Sequence, residues 1–238
     1  MYTYGFDWMY LILVLPCLVL SMWASYNVSS TYKKYSSQYS LRQMTSQDAA
    51  LRVLRNHGVT NVRIEHISGN LTDHYDPKAN VIRLSDSVYG STSTAAIGVA
   101  CHEAGHAVQY ATGYFPIRIR AAIIPITNFG SKIAIPLILI GVVLSSIGIF
   151  FYQIIYLGIA CFALSLVFQL LTLPVEFNAS NRALRAIEDG GLLTSEELVG
   201  AKKTLRAAAL TYVAAVAVSL AQILRLIMMF GGGRRRDR

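Results

Sequence analysis

The chain alternates between long apolar runs and polar, mostly basic stretches, and that alternation predicts its architecture. Residues 8–24, 133–150, 154–173 and 207–224 are uncharged over 17, 18, 20 and 18 residues. Runs of that length, folded as helices, match a bilayer core of about 30 Å. The first (8–26 with its flank) reads as an uncleaved transmembrane anchor, since residues 1–7 hold no Lys or Arg to start a signal peptide. The second and third, 133–173, read as a tight hairpin, with only residues 151–153 between the runs. The fourth is rich in Ala, Thr and Ser and runs straight into Arg225. Two readings of 207–230 stay open, a fourth span or an interfacial helix, ahead of the basic tail 231–238.

Two polar regions lie between these runs, 27–132 and 174–206. In the first, Ala49, Ala50, Val53 and Leu54 recur at helical spacing over 46–56, and His57-Gly58 ends the helix. Residues 59–68 set Val62, Ile64 and His66 against Arg63, Glu65 and Ile67, the alternation of a strand. A second strand is expected at 81–84, after the turn-forming stretch 76–80. Ser91-Thr92-Ser93-Thr94 supplies N-caps for a helix with an apolar body from Ala95 to Val108, and Gly113 supplies its stop. Residues 114–131, with Arg118, Arg120 and Pro125, are expected along the membrane surface. In the second region Pro174 suits a first helical turn and Gly190-Gly191 a stop. Thr194-Ser195-Glu196-Glu197 is a capping box, and its helix can continue into the last apolar run.

Composition agrees with a membrane protein: 54% hydrophobic residues and a mean hydropathy of +0.44. The net charge of +8 resides largely between the apolar runs, with 11 Lys and Arg against 6 Asp and Glu in 27–132, and 5 basic residues in 174–206. The positive-inside bias places both regions in the cytoplasm. No basic patch interleaved with aromatics and no nucleic-acid motif occurs, which excludes that class of partner. The three cysteines, Cys17, Cys101 and Cys161, are odd in number and lie among apolar residues, so no disulfide framework is expected.

Chemistry enters with His102-Glu103-Ala104-Gly105-His106, which reads H-E-x-x-H. Residues four apart share a helix face, so both imidazoles can reach one ion. Glu103 then stands beside the metal, where it can take a proton from water without ligating. Gly105 costs up to about 1 kcal/mol in a helix interior, which predicts another backbone close by. Two histidines leave a zinc site one protein ligand short, and a carboxylate commonly fills that place. Glu176 is the candidate, with a first-turn glutamate favoured by the helix dipole as the equal alternative on spacing alone. Cys101 points about 100° away from His102 and reads as packing. His57, His66 and His74 lack ligand spacing and read as turn or strand-surface residues.

These motifs carry a resemblance. Residues 98–109 around the H-E-x-x-H, Leu173-Pro-Val-Glu-Phe-Asn-Ala-Ser180, His74-Tyr-Asp-Pro77 and Val81-Ile-Arg-Leu-Ser85 resemble the YugP-type family of bacterial membrane zinc metallopeptidases. That family is distantly related to the integral-membrane gluzincins, and the likeness extends over nearly the whole chain to its Gly- and Arg-rich end. The resemblance implies His102, His106 and Glu176 as zinc ligands and Glu103 as general base. Gluzincins place an aspartate four residues after the third ligand, where it orients a histidine. Here that position is Ser180, which leaves Ser180 or Asn181 as the substitute.

The expected fold class is therefore α+β, a mostly helical integral membrane protein with 3–4 transmembrane helices and a small cytoplasmic zincin-like catalytic domain. The expected activity is zinc-dependent endopeptidase, with one Zn²⁺ per chain and protein or peptide substrates near the lipid bilayer. Tyr110 and Arg182 are the candidate oxyanion donors, and 81–84 the sheet edge on which substrate would add as a strand. Three alternatives are weighed. Intramembrane cleavage is opposed by the short, polar metal helix. A non-proteolytic metal-binding scaffold leaves Glu103 without a purpose. A metal transporter lacks ionisable residues along its spans.

Overall fold

A π-helical opening, Tyr10–Val14, leads into α1, Leu15–Tyr35. Then come α2 (Ser46–Asn56), β1 (Arg63–Ile67), β2 (His74–Asp76), β3 (Val81–Ser85) and α3 (Thr94–Ala111). Three long helices complete the order: α4 (Phe115–Leu144), α5 (Tyr152–Asp189) and α6 (Ser195–Phe230). The computed structural model describes residues 7–148 and 151–231, so the arginines at 234–236 lie outside the described residues. The chain forms two compact units, one from 1–23, 119–172 and 212–238, the other from 24–118 and 173–211.

The first unit is helical. Among the described residues, four helices are long and apolar enough to cross a membrane: Tyr10–Tyr35, α4, α5 and α6. Within the unit α4 and α5 approach closely, because a Cβ on Gly141 would lie 2.8 Å from the Ile155 nitrogen and one on Gly158 2.9 Å from the Ala134 oxygen. Small residues at the crossing are how helices associate where no hydrophobic effect drives them together. The end of α6 joins this pair. Leu226 and Phe230 bury against Ile155 and Ile159, and the Tyr156 hydroxyl donates to the Phe230 carbonyl at 3.0 Å. Arg225 donates through Nε to Asp7 Oδ2 at 2.8 Å and through Nη2 to the same oxygen. Its guanidinium also lies 5.3 Å from the Tyr10 ring centre. The start of the first helix, the start of α5 and the end of α6 thus share one end of the unit. Arg225, whose charge argued for an interfacial helix, is paired, and α6 takes its place in the bundle as a fourth candidate span.

The second unit is α+β. Thr45 caps α2, its Oγ1 accepting from the Asp48 N–H at 3.2 Å. The stripe Ala49, Ala50, Val53 and Leu54 is fully buried and shares a core with Ile97, Ala100, Ala104 and Val108 of α3. Each buried Val, Leu or Ile contributes about 1.5–3 kcal/mol, so this seam fixes the rotation of α3 about its axis. Ser93 caps α3 by accepting from the Ala96 N–H at 3.2 Å. Gly113, at φ +65°, ends it in the left-handed conformation open to glycine. The capping box forms as expected: Thr194 N–H donates to Glu197 Oε2 at 2.8 Å, and Glu197 N–H to Thr194 Oγ1 at 3.3 Å. Glu197 Oε1 also accepts from the Leu41 N–H at 2.6 Å, tying the loop before α2 to the start of α6.

Several expectations need correction. The sheet has three strands in the order β1–β3–β2, with β1 parallel and β2 antiparallel to β3. β3 is therefore central and cannot offer a free edge at 81–84. β2 was too short for any periodicity to reveal it. β1 is confined to 63–67, and His66 is exposed on it, as a strand-surface residue should be. Pro174 stands inside α5 rather than at a helix start, since the apolar run before it is already helical. Residues 115–131 belong to one continuous helix with the second apolar run, Pro125 included. The hairpin break follows Leu144 rather than residue 150.

Candidate metal centre

α3 and α5 cross at Gly105. A Cβ there would lie 2.7 Å from the Ala179 carbonyl oxygen, so only glycine lets the two backbones meet. The crossing brings Glu176 of α5 between the two motif histidines. Its Oε2 lies 3.3 Å from His102 Nε2 and 3.5 Å from His106 Nε2. All three donor atoms lie within 4.8 Å of one another. A tetrahedral zinc with bonds of about 2.0–2.1 Å spaces its donors about 3.3–3.4 Å apart. The carboxylate stands at about that spacing from each imidazole, a donor set suited to zinc, and Glu176 is only 3% exposed.

The imidazoles are held from behind. Gln109, fully buried, donates its amide N–H groups to the Val175 carbonyl at 2.8 Å and to Asn178 Oδ1 at 3.0 Å. A backbone carbonyl only accepts, so the amide orientation is fixed. Gln109 Oε1 must then accept from His106 Nδ1–H, at 3.0 Å. That tautomer leaves the Nε2 lone pair facing Glu176. Ser180 Oγ lies 3.1 Å from His102 Nδ1 and gives the other ring the same support. Such partners orient metal-ligating histidines and raise their basicity.

Burial works against a second proton on His106, but the hydrogen bond that Nε2–H would then donate to Glu176 and the charges of Glu103 and Glu176 outweigh it and raise the pKa. Glu103, 8% exposed, thus acts electrostatically on the cluster from inside the same helix. Cys101 is completely buried and its thiol pKa is pushed up by desolvation, as suits a packing residue.

The remaining candidates are placed as follows. Asn181 is exposed and lines a groove walled by α2 and α5, while Ser180 takes the place beside a histidine. The Tyr110 ring packs 5.6 Å from that of Tyr75. Arg182 donates through Nε to Asn178 Oδ1 at 2.8 Å and lies 5.9 Å from the Tyr114 ring centre. His57 Nδ1 bonds the Val53 carbonyl at 2.8 Å, His66 pairs with Asp86 at 2.6 Å, and His74 bonds the Thr72 carbonyl at 2.9 Å. Among the described residues, only His102, His106 and Glu176 gather as a possible metal-binding group. Sequence reasoning missed Gln109 and Asn178. Their signal was weak: a glutamine three residues after the second histidine, and an asparagine two after the glutamate.

An H-E-x-x-H helix joined by a glutamate from a second helix has the donor pattern of a His₂Glu zinc peptidase. The chain belongs to the family described as “Putative neutral zinc metallopeptidase”, whose model matches residues 10–231. It is 44% identical over 226 residues to the “Putative membrane protease YugP” of Bacillus subtilis (strain 168), covering 95% of this chain and 98% of that protein. No solved structure matches it. The resemblance read from the motifs is thereby borne out.

Proposed function

We propose that this chain is a membrane-bound endopeptidase that hydrolyses peptide bonds at the cytoplasmic membrane surface, with one zinc held by His102, His106 and Glu176. The observation that carries this reading is the meeting of both His Nε2 atoms with Glu176 Oε2 at 3.3 and 3.5 Å. Bound there, zinc supplies a Lewis acid that brings the pKa of water to about 7 and polarises a peptide carbonyl. Glu103 takes the proton from the attacking water on its carboxylate and delivers it to the leaving amine as the C–N bond breaks. Gln109 and Ser180 keep the two imidazoles in the tautomer that presents Nε2. Of the two candidate oxyanion donors, Tyr110 follows His106 by four residues and shares its face of α3. Arg182 is turned about 120° from Glu176 around α5 and is the weaker candidate.

The cytoplasmic placement rests on the basic residues of 27–132 and 174–206. α3 packs on α2, β2 and β3 within one α+β unit, which favours cleavage outside the bilayer over intramembrane cleavage. The substrates would be protein or peptide segments close to the lipid. The test is zinc analysis of detergent-purified protein with a casein-type cleavage assay on wild type and Glu103→Gln. About one zinc per chain in both, with turnover only in wild type, is expected. Equal turnover in the two proteins rejects the mechanism.

A further inference from the structure

A groove of about 540 Å³ meets the chemistry proposed above only through Arg182, the weaker oxyanion candidate, and Asn178, which holds Gln109. Its walls are Asn56 and His57 at the end of α2 and one face of α5 bearing Asn178, Arg182, Arg185 and Asp189. These α5 residues lie about 180–240° around the helix from Glu176, so the groove opens on the side away from the donor cluster. Arg182 and Arg185, three apart on one helix, are like charges at a spacing that destabilises a helix unless something intervenes. Arg182 is pre-positioned by Asn178 Oδ1 and by the Tyr114 ring. Among the described residues Arg185 forms no ion pair, not even with Asp189 four residues on, and both side chains face the groove. Two guanidinium forks beside amide donors suit a planar or tetrahedral oxyanion, which each fork can hold through two N–H groups.

We propose that this groove is a binding site for a small oxyanion, a carboxylate or phosphate group, held by Arg182 and Arg185. The site is joined to the metal centre by a continuous hydrogen-bond chain. Arg182 Nε–H and Gln109 Nε2–H both donate to Asn178 Oδ1, and Gln109 Oε1 accepts from His106 Nδ1–H. An anion that draws Arg182 toward itself loosens its hold on Asn178 and alters the support of His106. Coupling of this kind is reciprocal, so anion and metal change each other's affinity by the same factor.

The test uses the full chain in detergent, free of zinc, so that its outcome is independent of the peptidase reading. Binding of inorganic phosphate and of succinate is measured by calorimetry at constant ionic strength, with chloride as the control. Saturable binding is expected, weakened about tenfold or more in Arg185→Gln, the loss of one charge-assisted contact. Asp189→Asn, which removes the opposing charge, should tighten it. Binding of phosphate alone identifies a phosphate-bearing ligand, and of succinate alone a carboxylate. No saturable binding of either anion, or equal binding by Arg185→Gln and wild type, overturns the site. Zinc affinity measured with and without the bound anion should differ in wild type and be equal in Asn178→Ala. Equal affinities in wild type overturn the coupling.

Discussion

Gly105 of α3 presses against the backbone of Ala179 in α5, at a distance that no side chain would tolerate. The contact lies between His102 and His106 on one helix and between Glu176 and Ser180 on the other, so it sets the spacing of the donor cluster. Gly105→Ala should therefore push Glu176 away from the histidines. We expect a loss of about 1–3 kcal/mol in stability from overpacking, with markedly weaker zinc binding. Gly98→Ala is the comparison, because its Cβ would meet Ala201 at a milder 3.2 Å. Equal zinc affinity in the two variants would mean that the crossing at Gly105 does not set the site.

Gln109 and Ser180 are expected to matter without touching the metal. Gln109→Leu removes the acceptor for His106 Nδ1–H and the donor to the Val175 carbonyl and Asn178 Oδ1, while Ser180→Ala removes the partner of His102. Each should lower zinc affinity about 10–100-fold, as loss of such orienting groups does elsewhere. Competition with a chromophoric chelator reads this directly. Wild-type affinity in both variants would leave the histidines oriented by packing alone.

Asp76 predicts a pH dependence. The Arg83 side chain, helped by the Lys78 and Ala79 N–H groups, holds its carboxyl below the usual carboxylate value of 3.8. A depressed folded-state pKa stabilises the protein above 3.8, and that contribution is lost as pH falls through the lower folded value. Asp76→Asn should therefore lower the Tm near neutral pH, and the gap from wild type should close in strong acid. A gap of constant size across this range would rule out the ion pair as its cause.

The Asp7–Arg225 pair and the Tyr156–Phe230 hydrogen bond place the end of α6 beside the starts of the first helix and of α5. With the metal-binding segments proposed to be cytoplasmic, a cysteine appended after residue 238 should be labelled by an impermeant reagent in intact cells. Protection until lysis would contradict a fourth span, and labelling near Asp76 would reverse the orientation.

Local signals were legible in the sequence where one segment contained the whole explanation. H-E-x-x-H, the capping box at Thr194 and the helix over 46–56 each depend on residues within a few positions, and each formed as read. What depended on distant partners was harder to read. Nothing near residues 81–84 indicates that β1 and β2 flank them, so a central strand looked like an edge. Pro174 carries the mark of a helix start, but the apolar run before it was already helical. Arg225 looked costly in a span because Asp7 lies 218 residues away. Gln109 was opaque for the same reason, since its role exists only once Val175 and Asn178 arrive.

The α+β unit is assembled from two stretches, 24–118 and 173–211, with the apolar hairpin made between them. That order imposes a schedule on a chain emerging from the ribosome. His106 and Glu176 are 70 positions apart (176 − 106), a delay of roughly 4–14 s at about 5–20 residues per second. During that interval the nascent chain has both histidines and Glu103 but not the carboxylate that completes the cluster, nor Ala179, Asn178 and Ser180, which seat it. A donor cluster built this way stays incomplete until the hairpin has been synthesised.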